Sequence, residues 1–81
     1  MTLSLKYQFG INVKEMRKSL DISQENLAFM SGINRSHMGE IERGEKGAGL
    51  VTIERIAKAL NCRPSELLNQ IKSDLGGIDD K

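Results

Sequence analysis

Apolar residues recur along this chain at helical spacing, in stretches separated by polar or glycine-rich breaks. Phe9, Val13, Met16 and Leu20 form the first stripe, which predicts a helix from about Phe9 to Leu20, with Asp21 and Ile22 turning the chain. Ser23 is a good N-cap before Gln24, Glu25 and Asn26, and Leu27, Ala28 and Met30 give a second helix its apolar side. Gly32 falls where that helix must stop and enter a left-handed turn, a conformation open to a residue without Cβ. Ile33 is an apolar plug in the turn, Asn34 is the next N-cap, and Gly44 closes a third helix. The run from Gly44 to Gly49 is too glycine-rich to continue it and reads as a flexible loop. A fourth helix, about Leu50 to Leu60, sets Leu50, Ile53, Ile56, Ala57 and Leu60 on one face, and Asn61 ends it. Pro64 suits the first position of a fifth helix, and Glu66 suits its first turn. Leu67, Leu68, Ile71 and Leu75 continue that helix until Gly76-Gly77 stops it.

The pattern is all-α, a compact five-helix bundle. Residues 9–75 form one domain, 76–81 a frayed tail, and 1–8 an arm or the first turn of the first helix. Leu3, Leu5, Tyr7 and Phe9 alternate with polar residues as a strand would, while Leu3 and Tyr7 also stand at i, i+4. A short strand pairing across a dimer is therefore the competing reading of the N-terminus.

The second and third helices, joined by the tight turn at Gly32, have the layout of a helix-turn-helix, whose second helix lies in the DNA major groove. On a wheel of residues 34–43, Met38, Ile41 and Glu42 fall on one side. Ser36, Glu40 and Arg43 fall opposite, flanked by His37 and Gly39, with Arg35 in the first turn. The inner side belongs to the core; the outer side has the size and polarity to approach base edges and phosphates. Glu42 is out of place among inward residues, and Arg17 intrudes on the stripe of the first helix. Buried charges require partners, so an Arg17–Glu42 ion pair locking helix to helix is expected. The alternative is that both side chains snorkel to solvent. Glu40 either accepts from a cytosine amino group or holds Arg43 by an i, i+3 pair.

Composition qualifies this picture. The chain has 81 residues, enough for one small domain with a modest core, and only 4% are aromatic, so Leu, Ile, Met and Val must fill the interior. Twelve basic and 11 acidic side chains leave a net charge of +1, low for a nucleic-acid binder. The case for DNA rests on local placement: Arg35, Arg43 and Lys46 lie close together, diluted by Glu40 and Glu45. Affinity for random DNA should be modest and strongly salt-dependent. A single cysteine excludes an internal disulfide, and with a single histidine there is no zinc set, so no metal or cofactor is expected. Cys62 reads as a small buried apolar residue near a helix junction. No paired-carboxylate, phosphate-loop or Cys–His signature suggests an enzyme, and His37 is a DNA-facing or solvent residue. No secretory or membrane-spanning signal is visible, so the chain reads as cytoplasmic, without membrane or small-molecule partners.

The segments FGINVKEMRKSLDISQENLA, GINRSHMGEIERG and VTIERIAKALNCRPSELL resemble the phage repressor and Cro type of helix-turn-helix, the xenobiotic-response-element family of bacterial regulators. The resemblance spans about Phe9 to Leu68 and implies a lambda-repressor-like domain that binds double-stranded DNA as a two-fold dimer. It places Arg35, Ser36 and Glu40 at positions that face bases, and Asn34, Arg43 and Lys46 near phosphates. It gives Gln24 a contact to the DNA backbone and a role in bracing the recognition helix. It also matches Arg17 and Glu42 to a structural ion pair. Gly47-Ala48-Gly49 departs from a loop that often holds proline, and Gly39 from a position that often holds serine or a larger residue. Among small members the chain looks like the controllers of restriction-modification systems, which bind palindromic operators upstream of their own genes, activating and then repressing. That implies a homodimer, and it admits RNA polymerase as a further partner. The stripe Leu67, Leu68, Ile71 and Leu75 is the expected dimer face, unless Leu67 and Ile71 only close the core. The rival class is an antitoxin or protein-interaction module that uses the same stripe to hold a foreign partner.

Overall fold

A computed structural model of the protein describes residues 4–69, and the helices among them are α1 (Leu5–Ser19), α2 (Gln24–Ser31), α3 (Arg35–Glu42), α4 (Leu50–Ala59) and α5 (Pro64–Leu67). The expected continuation of the last helix through Ile71 and Leu75, the tail 76–81 and Leu3 all lie outside the described residues.

Helix α1 begins at Leu5 and not at Phe9, because Ser4 caps it: the Ser4 hydroxyl accepts from the Tyr7 N–H at 3.4 Å. The alternation through Leu5, Tyr7 and Phe9 is thus one helical turn, with Phe9 buried and the other two exposed. At its other end α1 stops before Leu20, and Asp21 takes a left-handed conformation, φ 59°. Leu20 therefore leaves the stripe and is 47% exposed, contrary to the pattern. Two residues that hydropathy did not select, Gln8 and Gly10, are buried instead.

The core is Phe9, Val13, Leu27, Ala28, Met38, Ile41, Ile56, Ala57, Leu60 and Leu67, with Met16, Ile22, Ile33, Ile53, Cys62 and Leu68 packed against it. α1 packs on α3 and α5, α2 on α3 and α4, and α4 on α5. Two residues expected in the core are outside it. Met30 is 49% exposed, since α2 turns Leu27, Ala28 and Ser31 inward. Leu50 is 86% exposed, since it opens the first turn of α4, ahead of the turn that reaches the interior.

The junction of α4 and α5 follows the sequence closely. Asn61 takes φ 56° after α4, and Pro64 starts α5. Glu66 accepts from the Arg63 N–H at 3.2 Å, satisfying a donor that the helix leaves free. Asn12 of α1 latches this end of the chain by donating to the carbonyls of Leu67 at 2.9 Å and Asn69 at 2.7 Å. Leu67 is fully buried. It closes the core of its own chain, the alternative that the sequence left open for it; Leu68 is half-buried.

Candidate nucleic-acid interface

The α2–turn–α3 unit is fixed by its caps. Ser23 Oγ accepts from the Asn26 N–H at 3.0 Å and Asn34 Oδ1 from the His37 N–H at 2.8 Å. Between them Gly32 takes φ 74°, and the Ile33 N–H returns to the Ala28 carbonyl at 3.0 Å. This geometry sets the rotation of α3. Met38, Ile41 and Glu42 point inward and are buried, while Arg35, Ser36 and Arg43 are exposed and His37 and Glu40 half-buried.

Glu42 joins three elements beneath that face. Arg17 donates to it from Nε at 2.8 Å and from Nη2 at 3.1 Å, and the Gln24 amide donates to its Oε1 at 3.1 Å. Arg17 Nη1 also donates to the Ile22 carbonyl at 2.9 Å. The side chains of Arg17 and Glu42 retain only 12% and 2% of their exposure, so neither snorkels to solvent. A two-pronged, fully bonded pair of this kind is directional, and it fixes α3 against both α1 and the start of α2.

On the outer side, Gln24, Arg35, Ser36, Gly39, Glu40 and Arg43 line an open polar groove of about 420 Å³. Gly39 is buried within it: a Cβ there would stand 3.0 Å from Arg43 Nη1 and 3.6 Å from Gln24 Oε1. It forms a bed for other side chains in this state and is not itself displayed. Glu40 does not hold Arg43. Its carboxylate lies 3.5 Å from His37 Nδ1, while Arg43 pairs with Glu45 through Nε at 2.7 Å and Nη2 at 3.1 Å. The hydrogen bond from Arg43 keeps the Glu45 carboxyl below the usual carboxylate range.

The segment after α3 is anchored at its start, although its composition suggested a flexible loop. Gly44 takes φ 77° with Tyr7 packed over it, and the N–H groups of Glu45 and Lys46 both reach the Glu40 carbonyl, at 2.9 and 3.3 Å. Lys46, which follows this turn, is exposed. Two partnerships were not legible in the sequence: Glu42 as the group through which Gln24 braces α3, and Glu45 as partner of Arg43. Neither leaves a signal in hydropathy or spacing, since both depend on how the chain folds back across α3.

Among the described residues no group of three or more His, Cys, Asp and Glu could hold a metal ion, and no helix is long and apolar enough to cross a membrane. Cys62 is half-buried at the α4–α5 junction, and burial pushes its thiol up from its ordinary range.

Two short helices locked at a fixed angle, with a core-facing side tied down and a polar side left open, define a helix-turn-helix protein. The chain belongs to the helix-turn-helix family, whose pattern matches residues 13–67. It is similar to control protein C.BamHI of Bacillus amyloliquefaciens, 40% identical over 85% of this chain and 86% of that one. Among solved structures it is similar to the restriction-modification controller protein C.AhdI from Aeromonas hydrophila, with TM-score 0.74 and 44% identity over 76% of this chain and 94% of that one. It is also similar to the P22 c2 repressor in complex with a synthetic operator, with TM-score 0.71 and 31% identity over 75% of this chain and 92% of that one. It is thus a helix-turn-helix transcriptional regulator resembling the control proteins of restriction-modification systems.

Proposed function

We propose that the protein is a restriction-modification controller that binds a palindromic operator upstream of its own gene as a homodimer, activating and then repressing it as occupancy rises. The observation that carries this reading is the outer face of α3, held by the Arg17–Glu42–Gln24 network and lined by Arg35, Ser36, Glu40 and Arg43. Its likeness to the control proteins of restriction-modification systems supports the controller reading. A two-fold dimer sets two such helices into successive major grooves, which is why a palindrome suits it. RNA polymerase is the further partner that activation requires.

In this reading Arg35, Ser36 and Glu40 read bases, with His37 at the edge of the same face. Asn34, Arg43 and Lys46 meet phosphates. Gln24 joins them because an amide nitrogen carries two protons: one is committed to Glu42, and the other is available to a phosphate oxygen.

The test is a gel-shift titration against DNA upstream of the gene, with random competitor, at two salt concentrations. Stepwise bands that survive competitor are expected; loss of every band to competitor would remove the operator. Arg35→Ala is expected to lose about 1–3 kcal/mol of discrimination between cognate and random duplex. Equal loss on both duplexes would remove Arg35 from base reading. Lys46→Ala should weaken all DNA alike and flatten the salt dependence by about one charge; an unchanged slope would place Lys46 away from the backbone.

A further inference from the structure

Arg43 has the reach and position for a phosphate contact, yet its guanidinium is already occupied. The edge formed by Nε and Nη2 is taken by both oxygens of Glu45, at 2.7 and 3.1 Å. The backbone prepares this arrangement. Gly44 turns the chain at φ 77°, and the Glu45 N–H bonds to the Glu40 carbonyl at 2.9 Å, which brings residue 45 back over residue 43. The rest of the guanidinium lies over Gly39, where a Cβ would sit only 3.0 Å from Nη1, with Gln24 Oε1 on the same bed. Arg43 is therefore stored along the groove wall, held by a carboxylate at one edge and admitted by a missing side chain beneath.

A carboxylate and a phosphodiester offer the same pair of acceptor oxygens to that edge of arginine, and only one of them can occupy it. We infer that Glu45 is a built-in competitor of DNA phosphate, a carboxylate that must be displaced from Arg43 before that side chain can bind the backbone. This rests on the DNA-binding reading and adds a regulatory element to it. Breaking the Arg43–Glu45 pair is a cost that binding must repay, and because salt screens an exposed pair that cost is largest at low salt. The cost falls on every DNA sequence alike, so Glu45 raises the protein concentration at which any site fills.

The experiment is a double-mutant cycle on random-sequence and gene-upstream duplexes, comparing wild type, Glu45→Gln, Arg43→Ala and the double variant over a range of salt. Both side chains are more than half exposed, so the variants are expected to fold as the wild type does. Glu45→Gln should tighten binding to both duplexes by about threefold at low salt, the scale of a surface ion pair. It should also steepen the log–log salt slope slightly, because screening weakens the wild-type pair as salt rises. In the Arg43→Ala background the same substitution should change neither quantity. A gain that persists without Arg43 would overturn the proposal, because Glu45 would then simply repel DNA at a distance. No gain in the wild-type background would overturn it as well, leaving DNA binding itself intact. A wild-type protein that shifts neither duplex would remove the DNA-binding reading, and this inference with it.

Discussion

Glu42→Ala is expected to lower the stability of the domain by about 3–5 kcal/mol, the cost of removing one partner from a buried ion pair. The substitution leaves the Arg17 guanidinium facing an emptied site and takes the acceptor from the Gln24 amide. An 81-residue domain has roughly 4–12 kcal/mol in total, so much of its margin disappears. Urea denaturation followed by circular dichroism measures the loss directly. Replacing both charges together, Arg17→Met with Glu42→Leu, should recover much of the stability, because no charge is then left without its partner. The double variant should still bind DNA less well than the wild type, since nothing then orients Gln24. A Glu42→Ala midpoint equal to wild type would mean that the pair contributes nothing to the fold.

The second large effect is expected at Gly10. A Cβ at this position would overlap the Ile41 carbonyl oxygen and stand 3.0 Å from that of Glu42. Both neighbours are backbone atoms of α3, so no side chain can swing aside, and α1 would have to move away from α3. Gly10→Ala should therefore destabilise by about 1–3 kcal/mol, the usual cost of overpacking. That holds even though alanine favours a helix by about 1 kcal/mol over glycine. Moving α1 also stretches the Arg17–Glu42 contact, so DNA affinity should fall with stability. An unchanged denaturation midpoint would show that the two helices have room to separate without cost.

These two residues mark the range of what the sequence disclosed. Glu42 was legible because a carboxylate on an apolar face is improbable without a base, and Arg17 on the stripe of α1 was the evident candidate. Gly10 was not, because a glycine inside a helix looks merely tolerated until the facing backbone is seen. The same division runs through the interface. The caps Ser23 and Asn34, the turn at Gly32 and the split of α3 into inner and outer sides followed from local rules. Arg43 is the contrary case: the i, i+3 spacing left Glu40 open as its partner, and the left-handed Gly44 delivered Glu45 instead. Leu20, Met30 and Leu50 were misassigned for a related reason. Hydropathy identifies residues able to be buried, but there is less interior than apolar side chain in so small a domain.

By itself, then, the sequence determined how α2 and α3 are capped, where the turn between them falls, and which side of the recognition helix faces outward. Those properties depend on interactions within about four residues, which the linear order of side chains encodes directly. The tertiary structure alone decided how closely α1 approaches α3 and which leucines the core admits. It also decided that Gln24 completes the site of Glu42 and that Glu45 occupies Arg43. Each of these depends on packing or on the direction in which the chain leaves a helix, and no local pattern specifies the atoms that then come to face one another.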